Sequence, residues 1–288
     1  MSSARTLTGT GVWSHELRYG DQAEIADLAA ELEALGFSAL WIPDVGGDVL
    51  GSLDQLLEST SSVVIATGIL NIWMHTAADV GAWRAGLDDA DRDRLLLGIG
   101  ISHAPLIDAQ PGMSWERPLA TTRAYLDAMD DAGVPVDARC VAALGPKMLE
   151  LARDRSAGAH PYLVTPEHTA MARDALGTGA LLAVEQGVVL ETDPDAARDV
   201  ARRALGVYAT LPNYVNNWKR LGFTDDDAAS LSDRLVDALV AWGDADTVAE
   251  RVHAHRDVGA DHVCVQVIAP PGSSVPREAW RRLACAVV

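Results

Sequence analysis

Cysteine, basic side chains and long apolar runs are all scarce in this chain, and each shortage removes a class of protein. The three cysteines, Cys140, Cys264 and Cys285, form an odd, sparse set without metal-ligand spacing. Neither a disulfide framework nor a zinc site is expected from them. Cys140 and Cys264 lie in apolar runs and read as reduced core thiols. Lys and Arg number 23 against 41 Asp and Glu, a formal charge of −18. Phosphate backbones need a basic face, so nucleic acid is not an expected partner. An anionic membrane surface is disfavoured for the same reason. No stretch approaches the roughly 20 apolar residues that span a bilayer. The opening MSSARTLTGTG has no apolar core of a secretion signal. These expectations describe a cytoplasmic protein whose partner is a small molecule.

What is present is rhythm. Short apolar runs alternate with amphipathic segments along a chain of 288 residues that is 49% apolar. Strands are expected at Thr10–Trp13, Ala39–Ile42, Val63–Ile72, Leu95–Ile101, Arg139–Leu144, Gly158–Val164, Leu181–Leu190 and His262–Ile268. The sixth is weak by pattern, because His160 and Pro161 interrupt it. Ile25, Leu28, Ala29, Leu32 and Leu35 follow helical spacing, and Gly36 then supplies a left-handed stop. The same phrase of helix, glycine and strand returns at Gly133 and Gly259. Thr165-Pro166 and Asp193-Pro194 read as helix starts. Eight such units predict an α/β fold, a (β/α)8 TIM barrel, as one domain over residues 1–288. An open doubly wound sheet is the rival, and it wants a glycine-rich turn after the first strand; Ser14-His15-Glu16-Leu17 stands there. Residues 204–243 exceed one crossover and carry extra helical pattern, so an insertion between strands seven and eight is expected.

In such a barrel the site lies where the strands end. The ends here are Trp13 and His15, then Asp44, then Asn71 and His75, then Ser102 and His103, then Gly145-Pro146-Lys147, then His160 and Tyr162, then Glu185 and Gln186. Aromatic, amide, imidazole and glycine residues with few charges suit a flat heteroaromatic ligand. Trp41 falls in mid-strand and reads as core. Gly68 interrupts a buried β-branched run, which marks a bulge or a close approach of ligand to backbone. Gly145-Pro146-Lys147 opens a helix whose free N–H groups would take an anion; an ordinary βα turn is the plainer reading. No P-loop and no GxSxG elbow is found.

These residues resemble the luciferase-like monooxygenase superfamily, and within it the actinobacterial oxidoreductases that use the deazaflavin coenzyme F-420. The resemblance rests on GVWS at Gly11–Ser14, LGFSALWIPD at Leu35–Asp44, ATGILNIW at Ala66–Trp73, LLLGIGISHAPLI at Leu95–Ile107, GPKMLELAR at Gly145–Arg153 and AGAHPYLVTPEHT at Ala157–Thr169. It implies a homodimeric TIM barrel with a late insertion and a non-proline cis peptide at Gly68–Ile69 behind the cofactor ring. It implies a phosphate site at Gly145, Pro146 and Lys147, and ring contacts from Asp44, Asn71, Ser102 and His103, with Trp13 and His160 beside them.

One departure is informative. Deazaflavin dehydrogenases of this family carry a histidine directly after the second-strand aspartate, where it serves alcohol oxidation. Here that position is Val45. The expectation is therefore hydride transfer to an electrophilic C=C or C=O, with His103 and His15 as candidate proton-handling residues. An FMN-dependent monooxygenase and a non-catalytic flavin-binding protein are the alternatives. Tyr208, Tyr214 and Trp218 of the insertion are expected to shape the substrate pocket.

Overall fold

The helix–glycine–strand phrase has one physical basis at all three places. Gly36, Gly133 and Gly259 have φ of +91°, +75° and +108°, which costs little only without a Cβ. Each lets the next amide reach back five residues, Phe37 to Leu32, Val134 to Met129 and Ala260 to His255, at 3.3, 2.9 and 2.9 Å. The chain so reversed enters an apolar strand each time.

In the computed structural model, which describes residues 7–109, 112, 114–270 and 272–288, the strands are β1 (Gly9–Trp13), β2 (Ala39–Ile42), β3 (Val64–Thr67), β4 (Leu70–Asn71), β5 (Leu95–Gly100), β6 (Arg139–Val141), β7 (Gly158–Ala159), β8 (Leu181–Val189), β9 (Val240–Trp242) and β10 (His262–Val267). All pair in parallel. The ring runs β1, β2, β3, β5, β6, β7, β8, β10, and closes because β10 pairs with both β8 and β1. This is the expected TIM barrel. Its strands are buried nearly end to end, as strands covered on both faces must be. Trp13, Ala39, Trp41, Ala66, Leu96, Cys140, Ala183 and Cys264 pack together in one cluster. A larger cluster joins the barrel to its helices.

Three details differ from expectation. The third strand is two pieces, β3 and β4, because the chain steps out of line at the cis peptide Gly68–Ile69. The sixth is only Gly158–Ala159, since Pro161 has no N–H to continue a ladder. Between β8 and β10 the excess chain is not wholly helical. Helices Pro194–Leu205, Pro212–Arg220, Asp225–Ser230 and Asp233–Leu239 lead into β9, which extends the sheet beside β8. Trp218, Leu205, Leu235 and Leu239 bury against one another there, with Leu163 and Val189 of the barrel. Arg198 ties the segment with a two-pronged bond to Asp237, at 2.9 and 2.6 Å. Among the described residues no helix is long and apolar enough to cross a membrane.

Candidate active site

At the C-terminal rim a cavity of about 350 Å3 opens between the strand ends and the insertion. That is the size class of small-molecule sites.

The bulge forms its wall. Trp13 Nε1 donates to the Gly68 carbonyl at 3.0 Å. A Cβ on Gly68 would collide with that indole, and a Cβ on Gly100 would collide with the side chain of Ile69. Two glycines are thus required for the backbone to present Gly68 and Ile69 to the cavity. Asp44, at the end of β2, holds the next turn. Its carboxylate is buried and accepts from Asn71 N at 3.0 Å and Arg18 Nη1 at 3.3 Å, and His75 Nε2 lies 3.0 Å from its second oxygen. Arg18 also donates to the carbonyls of Pro43 and Gly46, both at 2.6 Å. Asp44 therefore joins three strand ends.

His160 stacks on Trp41, with ring centroids 4.2 Å apart and 13° between planes. Its Nδ1 lies 2.9 Å from the Ala183 carbonyl, so Nδ1 carries the proton. Burial pulls its pKa down to about 4, and the ring is neutral. Nε2 is then a bare lone pair, buried and without a partner among the described residues, on the wall of the cavity. Such an atom calls for a donor on the ligand. His103 is half-buried, with Nδ1 likewise unpartnered. Desolvation lowers its pKa, against the opposing effect of a hydrogen bond with Asn213. Ser102 beside it has φ +58°, a sparsely used region for a side-chain-bearing residue.

Of the residues singled out from sequence, Trp13, His15, Asp44, Gly68, Ile69, Asn71, Ser102, His103, Gly145 and His160 all line this cavity. Pro146 and Lys147 do not. They are exposed behind Gly145 on helix Pro146–Arg155, which begins without a side-chain cap. The cation at that turn is Arg220, whose Nη2 would lie 3.8 Å from a Cβ on Gly145. His75 holds Asp44 from outside the cavity. Trp41 is core, as expected, and donates to His262 Nε2 at 3.1 Å. Tyr208 and Tyr214 line the cavity, but Trp218 is wholly buried in the insertion's own core, its Nε1 3.5 Å from the Leu163 carbonyl. Leu106, Trp115, Met148 and Asn213 also line the site. Neither Trp115, whose indole donates to Ile101 O at 3.1 Å, nor Asn213 carried a sequence signal.

Residues 4–133 match the family described as luciferase-like monooxygenase. The chain is 28% identical over 254 residues to a 5,10-methylenetetrahydromethanopterin reductase of Methanolobus tindarius, covering 79% of this chain and 70% of the relative. Among solved structures it superposes on a coenzyme F-420-dependent secondary alcohol dehydrogenase with TM-score 0.74 and 15% identity, covering 97% of this chain and 98% of the other. It superposes on the coenzyme F-420-dependent tetrahydromethanopterin reductase of Methanopyrus kandleri with TM-score 0.71 and 18% identity, with the same coverage. The family match over residues 4–133 covers the first strands of the barrel, β1 to β5, and the likeness to the two solved structures is one of fold.

Proposed function

We propose that this protein is an oxidoreductase that moves a hydride between the deazaflavin coenzyme F-420 and a small organic substrate, in the direction of reducing an electrophilic C=C or C=O. The observation that carries the reading is the cavity wall. It combines a backbone surface at Gly68–Ile69 with the buried, unpartnered acceptor of His160. A flat ring bearing an N–H fits both. The uncapped helix start at Gly145, with Arg220 beside it, fits the phosphate of such a cofactor. The relatives named above support the choice of coenzyme F-420 over FMN.

When bound, the deazaflavin supplies the carbon that gives up or receives the hydride. The chain's own residues orient and shelter it. Trp13 and Asp44 hold the two ends of the bulge, and Tyr162, Tyr208 and Tyr214 cover the far side and keep water out. His103 and His160 are neutral at pH 7, so the proton that completes the reduction after hydride transfer would come from solvent at the mouth of the cavity, where His15 and His103 stand. Val45 stands where an alcohol-oxidising base would be, 71% exposed at the mouth. His75 reaches Asp44 instead and does not line the cavity, which favours reduction over alcohol oxidation. The same reading takes residues 1–288 as one barrel unit that works as a cytoplasmic homodimer.

Titration of the purified protein with oxidised coenzyme F-420, and with FMN in parallel, tests the reading. The expected result is saturable quenching of deazaflavin fluorescence, weakened at least tenfold when Gly68 is changed to Val. Saturable binding of FMN alone would refute it.

A further inference from the structure

Glu185 is a buried carboxyl that the proposed function does not use. It sits in mid-β8 at a position facing the barrel interior, in register with Cys264, and is fully buried. It grips the chain on both sides of Tyr162. Its amide donates to the Pro161 carbonyl at 3.0 Å, and its Oε2 accepts from Leu163 N at 3.1 Å. Leu163 has φ +54°, a conformation that a leucine keeps only where its neighbours enforce it. Between these two clamps Tyr162 points its phenol into the site. That hydroxyl donates to Gln266 Oε1 at 2.8 Å and lies 3.2 Å from the Tyr208 hydroxyl.

A phenol has one proton. Tyr162 spends its proton on Gln266, so Tyr208 must be the donor in the contact between the two tyrosines. Burial raises both phenols, so both stay protonated at neutral pH. The Tyr208 proton is thus committed, and its oxygen meets the cavity as an acceptor only. We propose that Glu185 is a positioning residue: by holding Leu163 it sets Tyr162, and through it makes the Tyr208 hydroxyl an acceptor for a substrate that carries an O–H or N–H. The inference rests on the cavity being the substrate site, and it is independent of which flavin occupies it.

The groups facing Glu185 are Tyr162, Tyr208 and Tyr214 from the rim and Cys264 from β10, all uncharged. Its Oε1 has no hydrogen-bond partner among the described residues. Burial pushes its pKa up to about 8, so it is a neutral acid in the working range. Once ionised its carboxylate has one side-chain hydrogen bond and, among the described residues, no cation to balance it, so it must draw solvent in beneath Tyr162.

The test compares phenol with anisole, which differ by one O–H, as ligands of the full chain by calorimetry. Wild type is expected to bind phenol roughly three- to tenfold tighter at pH 7, the effect of one added hydrogen bond. Tyr208→Phe and Glu185→Leu are expected to lose the preference, and Glu185→Gln to keep it. Above pH 8 wild type loses the preference and Glu185→Gln does not; a purely structural role would not produce that difference. Equal binding of the two ligands by wild type would overturn the proposal. So would a preference retained by folded Glu185→Leu, or an alkaline loss shared by Glu185→Gln. If Glu185→Leu does not fold, the Tyr208→Phe and Glu185→Gln arms still decide. Failure of deazaflavin binding is read separately, from the coenzyme titration.

Discussion

Single side chains in this barrel are placed by the partners that their protonation states allow. Asp44 shows the consequence. Its carboxylate is the counter-charge of Arg18, whose side chain is only 1% exposed. Removing it leaves a buried guanidinium with backbone carbonyls alone. Asp44→Ala is expected to cost about 3 kcal/mol of folding stability, the low end for breaking a buried pair because those carbonyls remain. Urea unfolding followed by tryptophan fluorescence measures this, and a loss near zero would mean that Asp44 does not organise the rim. His160, by contrast, is informative because of what it lacks. One nitrogen is fixed by Ala183, and the other waits for a donor.

At the scale of elements, the strands and their glycine-stopped helices were legible because both periodicities are written locally. Thr165 and Asp193 do cap helices, through bonds to His168 N and Ala196 N. The rim was legible for a related reason: in a barrel, the residue after each apolar run is the residue at the site. This is how sequence points to Asp44 and Ser102, whereas His160 stands out because it interrupts the sixth run. What sequence did not show is set by long-range packing. Trp218 has the composition of a pocket residue, yet helix Pro212–Arg220 turns it into the insertion's core while Asn213 and Tyr214 meet the cavity. The strand β9 is three residues long and exists because β8 offers it an edge. Arg220 comes to Gly145 across 75 residues of sequence, which no local pattern encodes.

For the whole molecule, among the described residues, buried imidazoles with lowered titrations outnumber buried carboxylic acids with raised ones, and this shapes the response to acid. Burial holds His160 at about 4, and His255 and His262 at about 3. Each binds a proton on unfolding once the pH falls below its ordinary value near 6.5. The stability they contribute is complete above that value and is lost as pH drops toward 4 and 3. Glu185 acts the other way. It keeps its proton up to about 8 when folded, so unfolding releases one proton between its ordinary value and 8. Three protons taken up against one released give a net loss of about 3 kcal/mol per pH unit below pH 6. Urea midpoints measured from pH 7 down to pH 5 are expected to fall steeply; a flat profile would mean that these histidines are not buried neutral.

We propose that the rim cavity, shaped by the Gly68–Ile69 bulge and with Val45 where a histidine would stand, supports deazaflavin-linked reduction. Anaerobic mixing of the protein with reduced coenzyme F-420 and a panel of enones and imines, followed by the absorbance of the oxidised coenzyme, tests it most directly. The expected result is coenzyme oxidation that depends on protein and electrophile and needs no oxygen. The contradicting result is no oxidation under these conditions together with oxygen uptake on reduced FMN.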